Sequence, residues 1–113
     1  MGGFMKSLTL QEEYILLAVL QLDDNAYLIT LREHLKAKTG KEYSIGSIYV
    51  PLDRMWKLGY LDTRIGKPSP KVGGRSIKYY QINEMGKSIL ADNKKIHDRM
   101  WLGFAEDIIS QEK

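Results

Sequence analysis

The segment Lys67-Pro68-Ser69-Pro70-Lys71-Val72-Gly73-Gly74 constrains the fold of this chain more than any other. Two prolines remove strand donors and two glycines break a helix, so the segment is a turn-rich loop rather than a continued strand. The runs on either side alternate, with Leu61, Thr63 and Ile65 sharing one side before it and Ile77 and Tyr79 recurring after it. Alternation at period two marks a strand, and two such runs about a loop predict a β-hairpin. From Arg64 to Lys78 the hairpin carries Arg64, Lys67, Lys71, Arg75 and Lys78 and no acidic residue. The whole chain has 17 basic and 14 acidic residues, net +3, so the remainder, with 12 basic and 14 acidic, stands at −2. Positive charge so localised points to a phosphate backbone, with a solvated lysine-rich hairpin as the plainer alternative.

Just upstream, Ile45, Ile48, Leu52, Met55 and Leu58 fall three or four apart and so share one helical face, which belongs to the core. The opposite face holds Ser47, Val50, Arg54 and Lys57, side chains of a size to reach base edges or phosphates in a major groove. Ser44 can cap the helix start, and Gly59 can supply the left-handed residue that ends it. Pro51 lies inside this helix, where a lost backbone bond costs up to about 3 kcal/mol. The helix is therefore expected to bend or to begin irregularly. Trp56, near its end, is expected to pack in or just behind the core.

Thr9 and Glu12 form a capping box for a first helix from about Leu10 to Leu22, with Tyr14, Leu17, Ala18 and Leu20 among its buried residues. Asp23-Asp24-Asn25 ends it, and a second helix runs from about Ala26 to Lys38. There Leu28, Leu31 and Leu35 recur at helical spacing, Arg32, Lys36 and Lys38 face solvent, and Gly40 is the stop. A last helix starts near Asn83 and continues almost to the C-terminus. Its apolar positions Ile89, Ile96, Met100, Phe104 and Ile108 recur at sevens and fours, a longer stripe than one small domain can cover. Such a stripe calls for a second copy against it, the alternative being a helix folded back on its own domain. The order predicts an α+β, mainly α fold. A winged helix-turn-helix of three helices and a two-stranded wing occupies residues 8–82, and a C-terminal dimerisation helix occupies 83–111.

At 113 residues, 43% hydrophobic and 27% charged, the chain suits one small globular domain with an added assembly element. Its longest apolar run, Tyr14 to Leu20, is far short of a bilayer span, and no signal-peptide pattern opens the chain. Lys6 stands where a myristoylation signal needs Ser or Thr. With no cysteine there is no disulfide framework or thiolate metal site, which fits a cytoplasmic protein. His34 and His97, the only histidines, sit among charged helical neighbours as surface residues. Nothing combines into a nucleophile, base and orienting group, so an enzyme is not expected, nor a cofactor or metal.

Three runs, A-Y-L-I-T-L-R-E-H-L, G-S-I-Y-V-P-L-D-R-M-W-K-L-G-Y-L and G-G-R-S-I-K-Y-Y-Q-I-N-E-M-G, resemble the PadR-type transcriptional regulators, in the short form with a single C-terminal helix. The resemblance spans about Leu8 to Leu90. It is most specific at Gly46, Tyr49 and Leu52, at Gly59-Tyr60-Leu61, and from Gly74-Arg75 through Tyr79-Tyr80 to Gly86. It implies a homodimeric repressor that binds an inverted-repeat operator in double-stranded DNA and is released by a small effector. The DNA contacts would come from Ser44, Ser47, Tyr49, Val50, Arg54 and Lys57 on the helix and Lys67, Lys71, Arg75 and Lys78 on the wing. Trp101, beside the apolar stripe, either packs the dimer or, as the resemblance implies, lines a cavity there for planar aromatic compounds. The chain departs from the family pattern where Val50 separates the motif tyrosine from Pro51, which bears on the angle of the reading helix. Leu28 replaces a glycine, and Asn83 replaces a threonine with an equally good N-cap. The competing function is a winged-helix module that joins a protein partner through the last helix and never touches DNA.

Overall fold

The computed structural model describes residues 7–68, 70 and 73–111; Lys71 of the expected wing contacts lies outside them. Helix α1 spans Leu10–Leu22, α2 Leu28–Thr39 and α3 Ile45–Lys57. An antiparallel pair follows, β1 Leu61–Pro68 and β2 Ser76–Ile82, and then α4 Glu84–Trp101 and α5 Ala105–Ser110. Three helices and a two-stranded sheet are the winged-helix arrangement that the sequence predicts.

The capping box forms at the start of α1. Glu12 N–H donates to Thr9 Oγ1 at 3.1 Å and Thr9 N–H to Glu12 Oε1 at 2.9 Å. The buried face differs from the expected one: Ile15, Leu16, Ala18 and Val19 enter the core, whereas Tyr14 and Leu20 are exposed and Leu17 is half-buried. Seven consecutive apolar residues offer a core on every side of this helix, so periodicity cannot choose the face and packing does. Leu31 and Leu35 of α2 meet Ile48, Leu52 and Met55 of α3 in the same cluster. Full burial of each such side chain contributes about 1.5 to 3 kcal/mol.

Ser44 caps α3 by accepting from Ser47 N–H at 3.1 Å, and the helix is unbroken through Pro51. Ile45, expected in the core, lies on the exposed side of the first turn, because the core-facing arc narrows to Ile48, Leu52 and Met55. Trp56 is also exposed rather than core. Gly59 ends the helix at φ 89°, and Tyr60 N–H turns back onto Met55 O at 3.0 Å.

The hairpin pairs Leu61 with Ile82, Thr63 with Tyr80 and Ile65 with Lys78. Lys67 and Pro68, expected in the loop, remain in β1, with the register shifting between Ile65 and Pro68. A proline is tolerated there because β1 is an edge strand and the pairing is already irregular. Only Leu61 of the expected β1 face is buried; Thr63 is half-buried and Ile65 is exposed, since the strand leaves the core as it runs outward. Tyr80 N–H donates to Ala26 O at 2.8 Å, which fastens the hairpin to the α1–α2 connection.

Asn83 does more than the threonine it replaces. Its Oδ1 accepts from Gly86 N–H at 2.9 Å, and its Nδ2 donates to Gly59 O at 2.8 Å, tying the start of α4 to the end of α3. Gly86 then lies so close to Tyr60 O that no Cβ would fit. Leu90 and Asn93 are buried, and His97 Nε2 comes within 3.2 Å of Glu13 Oε1 on α1. Beyond that the expected single helix does not continue: α4 stops at Trp101, and Gly103 takes φ 85° before α5 begins. A left-handed residue turns the chain out of the helical path, so the sevens and fours read past Trp101 do not lie on one straight stripe.

Candidate nucleic-acid interface

On α3 the core-facing residues leave Gly46, Val50 and Lys57 on the outermost strip, with Val50 65% exposed. Lys57 Nζ pairs with Asp53 Oδ2 at 2.8 Å. That hydrogen bond raises the Lys57 pKa. Tyr49 and Trp56 border the strip on the side of the wing. There Lys78 lies 5.1 Å from the Trp56 ring centre, a cation–π contact that joins the second strand to the helix, and 5.5 Å from the ring centre of Tyr80 on its own strand. Burial, with Tyr49 and Asp53 close by, raises the Tyr80 pKa.

The opposite border faces α1, and here the expected site residues are already engaged. Ser47 Oγ donates to Ser44 O at 2.8 Å, while Ser47 O accepts from Gln11 Nε2 at 2.7 Å. Arg54 Nη1 donates to Glu12 Oε2, so one of its donors is held by a buried carboxylate although the side chain remains 59% exposed. Sequence reasoning missed Gln11 and Glu12 as partners of α3. The signal was Pro51, whose missing N–H leaves the Ser47 carbonyl in need of a donor.

On the wing, Arg64 stacks 4.1 Å from the Tyr79 ring centre and donates to Asp24 O at 2.8 Å, so it braces the hairpin. Gly66 leaves room for that same ring, which a Cβ there would strike. Tyr79 in turn meets Tyr27 edge to face at 5.5 Å. Lys67 and Arg75 are exposed toward the tip and, among the described residues, form no ion pair. Between wing and helix lies an open cleft of about 530 Å³, lined by Ile45, Tyr49, Ile77 and Tyr80 and bordered by Arg75 and Lys78. An apolar floor under two cations can seat the sugar and phosphate of a nucleic-acid backbone.

The expected assembly residues divide. Ile89 is half-buried against its own core, whereas Ile96, Met100, Phe104 and Ile108 are exposed, Met100 at 77%. Phe104 lies in the turn before α5 and Ile108 on α5 itself. Trp101 is 47% exposed and borders a shallow hollow with Phe104, Asp98 and Glu106. His34 Nε2 donates to Gln21 Oε1 at 2.6 Å, and His97 Nε2 lies 3.2 Å from Glu13 Oε1. Among the described residues no helix is long and apolar enough to cross a membrane.

Comparison with known proteins gives a family and a fold. A PadR-like transcriptional regulator from Bacillus cereus superposes with a TM-score of 0.63 at 27% identity, over 88% of this chain and 87% of its own. A Thermoplasma acidophilum protein gives 0.67 at 22% identity, covering 92% of each chain. The RosR protein of H. salinarum gives 0.66 at 18% identity, over 95% of this chain and 94% of its own. No curated protein matches. Residues 16–92 match the profile of the transcriptional regulator PadR-like family, and the match takes in α2, α3, both wing strands and the docked half of α4. The chain belongs to the PadR-like family of transcriptional regulators.

Proposed function

We propose that the chain is a homodimeric, sequence-specific DNA-binding repressor. The observation that carries this reading is that α3 keeps an open strip, with Val50 and Lys57, while its neighbouring Tyr49 shares an open cleft with Arg75 and Lys78 of the wing, and Lys78 lies over Trp56. A helix strip of this kind reads base edges, and wing cations meet phosphates. Lys71 belongs to the same basic segment. Ser44, Ser47, Tyr49 and Arg54 border the strip, the first two chiefly as backbone partners. Residues 8–82 form the DNA-binding domain and residues 83–111 the assembly element.

The exposed Ile96, Met100, Phe104 and Ile108 suit a second copy of the chain, which would present two reading helices to an inverted-repeat operator. The same exposed apolar surface supports the competing reading, a module that binds another protein and no DNA. A small planar aromatic effector stacking on Trp101 would release the operator. The test is a mobility-shift titration on the region upstream of the protein's own gene and on random DNA, at two salt concentrations. Preferential binding that weakens with salt is expected, and planar aromatic compounds should quench Trp101 fluorescence as they release the complex. Should neither DNA shift even at low salt, the protein-interaction module takes its place.

A further inference from the structure

Two consecutive residues in the first turn of α1 hold α3 at two separate points. Gln11 donates to Ser47 O at 2.7 Å, and Glu12, buried to 6% exposure, accepts from Arg54 Nη1. Ser47 and Arg54 are seven residues apart, about 10 Å along the helix axis. One contact near each end resists both tilting and rolling of α3, which a single contact could not.

The first of these contacts answers a defect in the helix. In a regular helix the N–H of residue 51 would donate to the carbonyl of residue 47, but Pro51 has no N–H and its ring crowds that carbonyl. A half-buried carbonyl without a partner is costly, and Gln11 supplies the donor from outside the helix. The second contact doubles the work of one carboxylate. Glu12 Oε1 closes the α1 capping box on Thr9 N–H while Oε2 takes Arg54, so the start of α1 and the last turns of α3 share a residue.

We infer that Gln11 and Glu12 are positioning residues for operator recognition: from behind the reading strip they fix the angle at which α3 meets DNA, and the need for Gln11 is created by Pro51. The inference rests on the DNA-binding reading above. Nonspecific binding through wing phosphate contacts tolerates small changes of helix angle, whereas alignment with base edges does not, so the ratio of operator to random-DNA affinity reports the effect.

The experiment is a double-mutant cycle on the full chain at a temperature where circular dichroism shows every variant folded. Gln11→Ala should lower the operator-to-random ratio about fivefold, the equilibrium factor of one hydrogen bond of ordinary strength. In the Pro51→Ala background the same change should cost less than about twofold, because the N–H that this substitution restores can itself donate to Ser47 O. Glu12→Gln keeps an acceptor for the cap but weakens the hold on Arg54, so it should lower the ratio as Gln11→Ala does, and an unmoved ratio in Glu12→Gln overturns the role of Glu12. An unmoved ratio in Gln11→Ala, or an equal loss with and without Pro51, overturns the inference. A wild-type chain with no operator preference overturns it together with the DNA-binding reading, while wild-type preference with an unmoved ratio overturns the inference alone.

Discussion

Helix α3 and the pair α4–α5 both carry apolar side chains on a helical face, yet they end in opposite conditions. Around α3 nearly every direction is occupied: Ile48, Leu52 and Met55 face the core, Ser47 and Arg54 face α1, Trp56 faces Lys78, and one strip stays open. The first half of α4 is likewise docked, through Asn83, Gly86 and Leu90. From Ile96 onward Met100, Leu102, Phe104 and Ile109 stand in the open. Apolar spacing shows that a face wants burial but not which chain buries it. The helix that completes its contacts internally is the one proposed to read; the one that does not is proposed to assemble.

The largest effect would come from removing the unfinished end. A chain stopped after Arg99 keeps the docked half of α4 and should sediment as a monomer, with operator affinity lower by about a hundredfold or more as the second half-site is lost. A shortened chain that stayed dimeric would move the interface to the winged domain.

The contrast also predicts unequal stability costs. Leu52→Ala, at a position with 0% exposure, should cost about 2 to 5 kcal/mol in urea denaturation. Ile109→Ala, at 64% exposure, should cost under about 0.5 kcal/mol in the isolated chain. An Ile109 cost that grows with protein concentration would sharpen the comparison, since only a second copy brings such a dependence.

Finer differences separate the open strip from the wing. Val50→Ser should cost about 1 to 3 kcal/mol on the operator, where an apolar group can meet a thymine methyl, and little on random DNA. Lys67→Ala and Arg75→Ala should each weaken both DNAs and lower the salt slope by about one unit. Equal losses of Val50→Ser on both DNAs would take base reading away from the strip.

Much of this was legible in the residues. The capping box at Thr9 and Glu12, the Ser44 cap, the left-handed Gly59, the strand pair about a Pro/Gly loop and the local positive charge are near-neighbour effects, settled by the chain within a few positions. What the sequence could not decide was which partner each side chain meets across space. Uniformly apolar α1 had to be packed before Ile15 and Val19, rather than Tyr14 and Leu20, became its core face. The stripe beyond Trp101 was lost to Gly103, because a spacing rule assumes the helix it is meant to detect. Pro51 announced a defect in α3, but only tertiary structure, by laying α1 against that helix, showed that Gln11 fills it and that Glu12 takes the arginine expected to point at DNA. Local conformation follows from bonded neighbours and short hydrogen bonds; the pairing of residues 36 and 42 positions apart follows from the collapse that buries α1, α2 and α3 together.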